Sequence, residues 1–550
     1  MNKKRILFCG EASPLNTGFS TYYHELLKRL YASGKYEIAE LGSYISGDDP
    51  RLTSVPWKIY PVMPSNNDKT AWNIYRSDNT NQFGKAIFES ALLDFKPDIV
   101  ADIRDMWMCS FQADSPLRDF FSLLWMPTVD GEPQRQEWLD YYKNADGLLT
   151  YSKYGLRLLE QGGCKNVIGK ASPGADLENM YPVENKEEHR KKLGIPHDAF
   201  VVGTIMRNQK RKLFPDLIRS FKLFIDTCNK KGKYDLAKKS VLYLHTSYPD
   251  VGFDIPRHVL ENGLQDKVIT TFKCEECGHI SIAMFSGETT KCNRCGKLTA
   301  RTTSPSTGVS RNVLGQIINL FDVYVQYSTC EGFGLPINEA RACGVPVMAT
   351  DYSAMSEQVH EPGGFPIRIE RYFDESVMET EQRRALPDNQ HLAKLLFKFA
   401  TLPKEDRKKL SKAVRKVVEE NYTWEQTANM WEKAIDNLPP PKRKWDDQPK
   451  FLNLPKINPE KTMYTDLVKM AYKDILGKEL WIGGYCYQQE LNVLQGGHKV
   501  GDRGKATRMS KKDWWKQVEE YVDNYNRWEQ RRTNMMNPPK KSKDITVGVI

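Results

Sequence analysis

The stretch Cys330-Glu331-Gly332-Phe333-Gly334-Leu335-Pro336-Ile337-Asn338-Glu339-Ala340 decides the fold. It follows an apolar run, Phe321 to Tyr327, that reads as a buried strand. It opens a helix predicted to end at Gly344, before Val345-Pro346-Val347 begins another strand. Gly332 and Gly334 leave the backbone bare where strand turns into helix, so a ligand can approach closely. Pro336 suits the first turn of the helix, whose free N–H groups point at that turn. This is an anion site. Glu331 and Glu339 flank it, and a carboxylate accepts two hydrogen bonds from a vicinal diol. Phosphate donors beside two carboxylates point to a sugar nucleotide.

Outward from that stretch, strands and helices alternate. Ile6 to Cys9 is an apolar strand, followed by a polar turn containing Gly18 and a helical pattern from Thr21 to Tyr31. Strand-like runs recur at Tyr36–Leu41, Ile99–Ile103, from Leu124 and at Ala145–Ser152, the last leading into a helix from Lys153. After a polar stretch from Glu184 to Lys192, expected to link two domains, Phe200 to Ile205 starts a second series. Its first turn, Met206-Arg-Asn-Gln-Lys-Arg-Lys212, is rich in cationic and amide side chains and leads into a helix from Pro215. Such a turn at the mouth of a strand can neutralise a diphosphate, or it can be merely solvated. Val241–His245 and Val268–Phe272 are further strands. The pattern predicts an α/β chain of two doubly wound domains, whose ligands bind beyond the carboxyl ends of the strands. That rule makes Arg104, Asp105 and Trp107 cleft candidates, with helix capping as the other role for Asp105. Asp130-Gly131 ends a further strand and is placed the same way.

Four of the eleven cysteines form one cluster, Cys274-x-x-Cys277, fourteen residues, Cys292-x-x-Cys295, and a glycine follows each pair. Four thiolates at this spacing make a soft tetrahedral site for structural Zn²⁺, with no position left for a reacting water. His279 is nearby but surplus. The odd cysteine count and the short apolar run at the start predict a reducing, cytoplasmic setting. No apolar run reaches the ~18 residues of a membrane span.

The opening stretch, extended through Ala-x-Ala-x-Gly-x-Pro-Val to Glu357, resembles the donor-site signature of retaining family-4 glycosyltransferases of the GT-B fold. The resemblance implies two Rossmann-like domains facing a cleft, spanning residues 1–186 on the acceptor side and 187–437 on the donor side. The closing helix, near Asn421 to Trp431, is expected to cross back. It implies a nucleotide-diphosphate sugar as donor, with a UDP-sugar expected, and transfer with retention to a hydroxyl acceptor. Glu339 would hold the ribose diol and Glu331 the donor sugar. Gly332, Phe333, Gly334 and Leu335 would lie against sugar and phosphate. Arg207 and Lys212 match the family's diphosphate-holding Arg and Lys, Gly18 its glycine loop by position, and Asp105 the acidic residue near the reacting sugar. Pro173 stands where the family usually has His, so no His role is carried over. No Asp-x-Asp pair occurs at a strand end, so the chemistry is expected to need no metal.

Two segments fall outside the resemblance. One is the cysteine insertion, residues 273–301. The other is a Pro- and Lys-rich linker, 438–456, leading to a helical extension, 457–550. Residues 439–550 hold 22 Lys and Arg against 14 Asp and Glu, most of the chain's formal charge of +10. Basic residues there interleave with Trp514, Trp515, Tyr521, Tyr525 and Trp528, and aromatic rings stack on bases. Zinc ribbon and basic tail together suggest duplex DNA as partner and a hydroxymethylated base as acceptor. The alternatives are a glycan, lipid or small-molecule acceptor, or a non-catalytic nucleic-acid-binding protein on a transferase-like core.

Overall fold

The structure is a computed structural model that describes residues 3–304, 307–376, 379–475 and 510–536. The first domain is a seven-stranded sheet built from β1 (Lys4–Glu11), β2 (Tyr36–Ser46), β3 (Lys58–Met63), β4 (Ile99–Asp102), β5 (Ser122–Trp125), β6 (Gly147–Thr150) and β7 (Val167–Lys170). Their order is β3-β2-β1-β4-β5-β6-β7, and every pairing is parallel. β4, β5 and β6 are buried along their whole length, as strands covered on both faces must be. The strand order reverses between β1 and β4, which opens a crevice at their carboxyl ends.

The second sheet contains β8 (Phe200–Ile205), β9 (Ser240–His245), β10 (Val268–Cys274), β14 (Val323–Gln326), β15 (Val347–Thr350) and β16 (Gly364–Ile367), all parallel, in the order β10-β9-β8-β14-β15-β16. Its reversal lies between β8 and β14. The cysteine insertion adds the antiparallel strands β11 (Ile280–Met284), β12 (Thr289–Thr290) and β13 (Ala300–Thr302) to the β10 end of this sheet. A separate two-stranded hairpin, β17 (Ile369–Asp374) with β18 (Arg383–Pro387), has no counterpart in the sequence reading.

Two segments expected to be linkers are packed structure. Within the first, Lys186–Lys192 is a helix, and buried Arg190 donates to the carbonyls of Leu320 and Ala199 and pairs with Asp322 at 2.7 Å. That stretch therefore belongs to the second domain. In the second, Trp445 stacks on Phe120 at 5.0 Å and donates to the Pro97 carbonyl. The helix Trp424–Asn437 returns to the first domain, where Trp431 Nε1 donates to the Tyr22 hydroxyl at 2.8 Å. Glu357 of the second domain accepts from the backbone N–H of Lys153, at the start of the first-domain helix Lys153–Gln161.

The described part of the extension, with the helix Lys511–Met536, corrects one expectation. Trp514 and Trp515 are each 2% exposed and pack against Leu467, Val468, Ala471 and Tyr472. Trp528 packs against the first domain, and the Tyr525 hydroxyl accepts from Arg443. Glu529 is buried with Arg443 and Arg532 as its partners. The physical reason is ordinary: rings this large bury apolar area before they offer it to a solvent-side ligand. The sequence pattern predicts an amphipathic helix from Thr465 to Leu480; residues 476–480 of that stretch, and Lys540, Lys541 and Lys543, lie outside the described residues.

Candidate functional site

At the second reversal, the turn after β14 and the turn after β8 face each other. Gly334 has φ +94°, a left-handed conformation that glycine adopts without strain, and it caps the helix Leu335–Ala342 with Pro336 in the first turn. A Cβ at Gly332 would stand 2.5 Å from Thr128 Cγ2 of the first domain, so glycine there lets the turn close on the opposite wall. The backbone N–H of Glu331 is held by Ser353 Oγ.

Glu331 is buried and its carboxylate is saturated. It accepts from Lys212, from Arg211 Nη1 at 2.8 Å, from Gln326 Nε2 at 2.6 Å and from Ser328 Oγ at 2.8 Å. Burial alone would raise its pKa, but Lys212 and Arg211 outweigh that and hold the carboxyl far below the usual range. Burial, and after it the neighbouring Arg211, push the Lys212 ammonium down to about 8 against the pull of Glu331. Leu213, at φ +38°, bends the chain sharply between Lys212 and the helix Phe214–Lys230. Arg211, one of several cations in this basic turn with no motif to single it out, also donates to the Cys330 carbonyl. Its adjacency to Lys212 was the only signal available. Arg207 stands apart from these groups. It forms a two-point pair with Asp250 at 2.8 and 2.9 Å, and its side chain is 49% exposed. Glu339 is buried on the helix behind the turn and accepts from Arg311 Nη1 at 2.6 Å, with Asp176 3.6 Å from the same guanidinium.

The first domain supplies the facing wall. Gly18 begins the helix Gly18–Ala32 after Thr17, whose hydroxyl caps it, and a Cβ at Gly18 would meet open space. Asp105 precedes the short helix Met106–Cys109, but its carboxylate makes no capping bond. Burial first, then the charge of Asp130, push its carboxyl up to about 6, opposed by Arg211 from across the cleft. Asp130 accepts from Arg384 Nη1 of β18 at 2.8 Å and from the Cys330 thiol at 3.4 Å, so the unforeseen hairpin closes on this wall too. Arg104 is not a cleft residue. It is buried in a forked pair with Asp102, and its remaining donors go to Ser43 and the Phe83 carbonyl. A guanidinium inside a core satisfies all its donors locally, which sequence position alone does not show. Trp107 stands 49% exposed.

Of the predicted site residues, the structure therefore gathers Glu331, Lys212, Gly332, Phe333, Gly334, Leu335 and Glu339 around one turn, with Asp105 and Gly18 on the opposite domain. Apart from these, the Sγ atoms of Cys274, Cys277, Cys292 and Cys295 lie within 4.8 Å of one another. Gly278 and Gly296, both at positive φ, turn the chain after each pair.

Residues 306–367, which include the turn, match the family described as Glycosyl transferases group 1. No curated protein matches the chain. Among solved structures it is similar to HepE of Anabaena in complex with UDP and glucose, at 14% identity and TM-score 0.55, over 79% of this chain and 100% of that one. Sucrose-phosphate synthase from Thermosynechococcus elongatus aligns at 18% identity and TM-score 0.55, over 80% of this chain and 99% of that one. A glycosyltransferase from Rickettsia africae aligns at 15% and 0.53, over 80% and 100%. At these identities the likeness is one of fold, and the fold of this chain is GT-B.

Proposed function

We propose that the chain is a retaining glycosyltransferase that moves a sugar from a nucleotide diphosphate, a UDP-sugar by preference, to a hydroxyl. The observation that carries this is the meeting of Lys212, Arg211 and the start of the helix Leu335–Ala342 at one turn, inside the segment that matches the group 1 transferases. A leaving diphosphate needs positive charge that is already in place, and buried Lys212 with part-exposed Arg211 beside a helix start supplies it. HepE, similar in fold, binds UDP and glucose, which supports the donor class.

In this reading Glu339 takes the ribose diol. Glu331, already saturated by four donors, fixes Lys212 and Arg211 and reaches the donor sugar only by releasing one of those donors. The anomeric C–O bond to phosphate breaks as the acceptor oxygen bonds to the same face, and the departing phosphate oxygen takes the acceptor proton. Asp105, with its carboxyl near 6, sits on the wall that faces this exchange. Protein cations carry the diphosphate, so the chemistry is read as metal-independent. The four cysteines fit one Zn²⁺, a closed tetrahedron of thiolates that ties the insertion to β10 and takes no part in transfer. Elemental analysis is expected to find one zinc per chain, lost in Cys277→Ser.

The test of transfer is Glu339→Gln, assayed by mass against a panel of nucleotide sugars. A charge-assisted hydrogen bond of ~1.5–3 kcal/mol should be lost, so nucleotide affinity falls roughly 10- to 100-fold while the circular dichroism spectrum is kept. Wild-type kinetics in this variant would remove the reading. A hydroxymethylated base in DNA remains a hydroxyl acceptor of the right kind, but of the rings that would have stacked on it Trp514 and Trp515 are packed inside the extension and Trp528 packs against the first domain.

A further inference from the structure

The mouth of the first sheet holds a feature that the transfer reading does not use. β2 breaks register with β3 between Gly42 and Ser46, and within that break Tyr44 adopts φ +63°. A left-handed backbone at a bulky residue is strained, and such strain persists where the surroundings hold a side chain in a functional direction. A bulge re-aims the side chain it carries. Tyr44 is 39% exposed and meets Phe83 edge-to-face at 6.4 Å. Trp107, beyond the carboxyl end of β4, meets the same buried ring edge-to-face at 5.2 Å. Two exposed rings are thus braced on one buried ring, at the carboxyl ends of strands on both sides of β1.

The charges around the shelf are specific. Glu11 ends β1 and lies within electrostatic reach of Tyr44 and of Arg207 across the cleft. Burial raises the Glu11 carboxyl, and the Thr17 hydroxyl is its hydrogen-bond donor. Asp105 lies beside Trp107. The two cations whose charge acts on Tyr44 are already committed, Arg104 to Asp102 and Arg207 to Asp250. The shelf therefore offers apolar rings and carboxylates, and each cation beside it has a carboxylate of its own, whereas Lys212 and Arg211 share the single carboxylate of Glu331. Aromatic faces take the C–H side of a pyranose ring, and carboxylates take its hydroxyls. A nucleic acid would bring phosphates toward Glu11 and Asp105 without new counter-charges, where its affinity depends on such contacts.

We infer, resting on the transfer reading above, that Tyr44 and Trp107 form the acceptor subsite and that Glu11 reads its hydroxyls. The acceptor is a neutral pyranoside, the sugar end of a glycan or glycoside. The rings touch acceptor, not donor, so their loss should separate the two.

The test uses the full chain with UDP present. Saturation-transfer NMR is run with methyl α-glucopyranoside, methyl β-galactopyranoside and methyl α-mannopyranoside, each followed by a transfer assay read by mass. At least one glycoside should show saturation of its ring C–H protons. That signal should fall at least fivefold in Tyr44→Ala and in Trp107→Ala, and stay in Tyr44→Phe. Acceptor KM should rise at least tenfold in the alanine variants, with UDP affinity within twofold of wild type. The inference is overturned if duplex DNA bearing 5-hydroxymethylcytosine is glycosylated while no glycoside gives signal or product. It is overturned equally if the alanine variants bind the glycoside as wild type does. Failure of UDP itself to bind counts against the transfer reading, and the glycoside signal still judges the shelf.

Discussion

The two sheet reversals treat charge in opposite ways. Between β8 and β14, Glu331, Lys212, Arg211, Gln326 and Ser328 are locked together, nearly all buried. Around the first reversal, Tyr44 on β2 and Trp107 beyond β4 stand open, Asp105 has a raised pKa, and the neighbouring cations are tied to other carboxylates. The first arrangement suits a partner whose charge is fixed and large, because counter-charges for it can be set in advance. The second suits a partner that is uncharged and known mainly by shape and hydroxyls. In the proposed reading, a cleft divided in this way between two substrates would carry a recognisable motif in only one half.

The strongest way to break the contrast is Lys212→Met. Removing a preorganised charge from a developing anion costs about 10²- to 10³-fold in kcat. Glu331 keeps Arg211, Gln326 and Ser328, so the fold should survive, which circular dichroism and a thermal melt would verify. If kcat falls less than tenfold, the locked network is structural and the donor half has been misread.

A smaller effect is expected from pH. Lys212 titrates near 8 and Asp105 near 6, so kcat/KM should be bell-shaped between them. Above 8 the diphosphate loses a counter-charge, while below 6 the Asp105 carboxylate is protonated. Stability runs the other way for Lys212. Its folded pKa is below the unfolded value, so its cost is fully present under pH 8 and is relieved as pH rises from there toward the unfolded value. Asp105→Asn should erase the acid limb alone. An unchanged acid limb would exclude Asp105 from the chemistry and leave only the aromatic shelf on that wall.

The contrast also tracks what could be read from the sequence. The donor turn was legible because local rules define it: a strand, two glycines, a proline in the first turn and flanking carboxylates lie within a dozen residues. The cysteine cluster was legible for the same reason, since its spacing marks four thiols that the fold brings within 4.8 Å of one another. The proposed acceptor wall was not. Tyr44 comes from a bulge, Phe83 from a 3₁₀ turn and Trp107 from beyond another strand, and only the tertiary fold brings them together. Arg104 shows the converse, since a charged residue at a strand end suggests a ligand contact while its donors are spent in the core. The hairpin β17–β18 carries no motif, yet its Arg384 holds Asp130 of the opposite domain.

The smallest expected effect concerns Arg207, which the family resemblance ranks equal to Lys212. The structure does not treat them equally. Lys212 is 6% exposed and faces Glu331, whereas the Arg207 side chain is half exposed and already forked onto Asp250. To reach a diphosphate it must leave that pair, and its charge is screened by solvent in both places. An exposed ion pair is worth ~0.2–1 kcal/mol, so trading one for another changes affinity by at most a factor of about five. Arg207→Ala is therefore expected to raise donor KM by only that much, with kcat nearly unchanged, measured beside Lys212→Met in the same assay. Equal losses in the two variants would mean that the cleft closes on the donor and draws Arg207 from Asp250 into the locked network. The contrast between the two reversals would then belong to the open state alone.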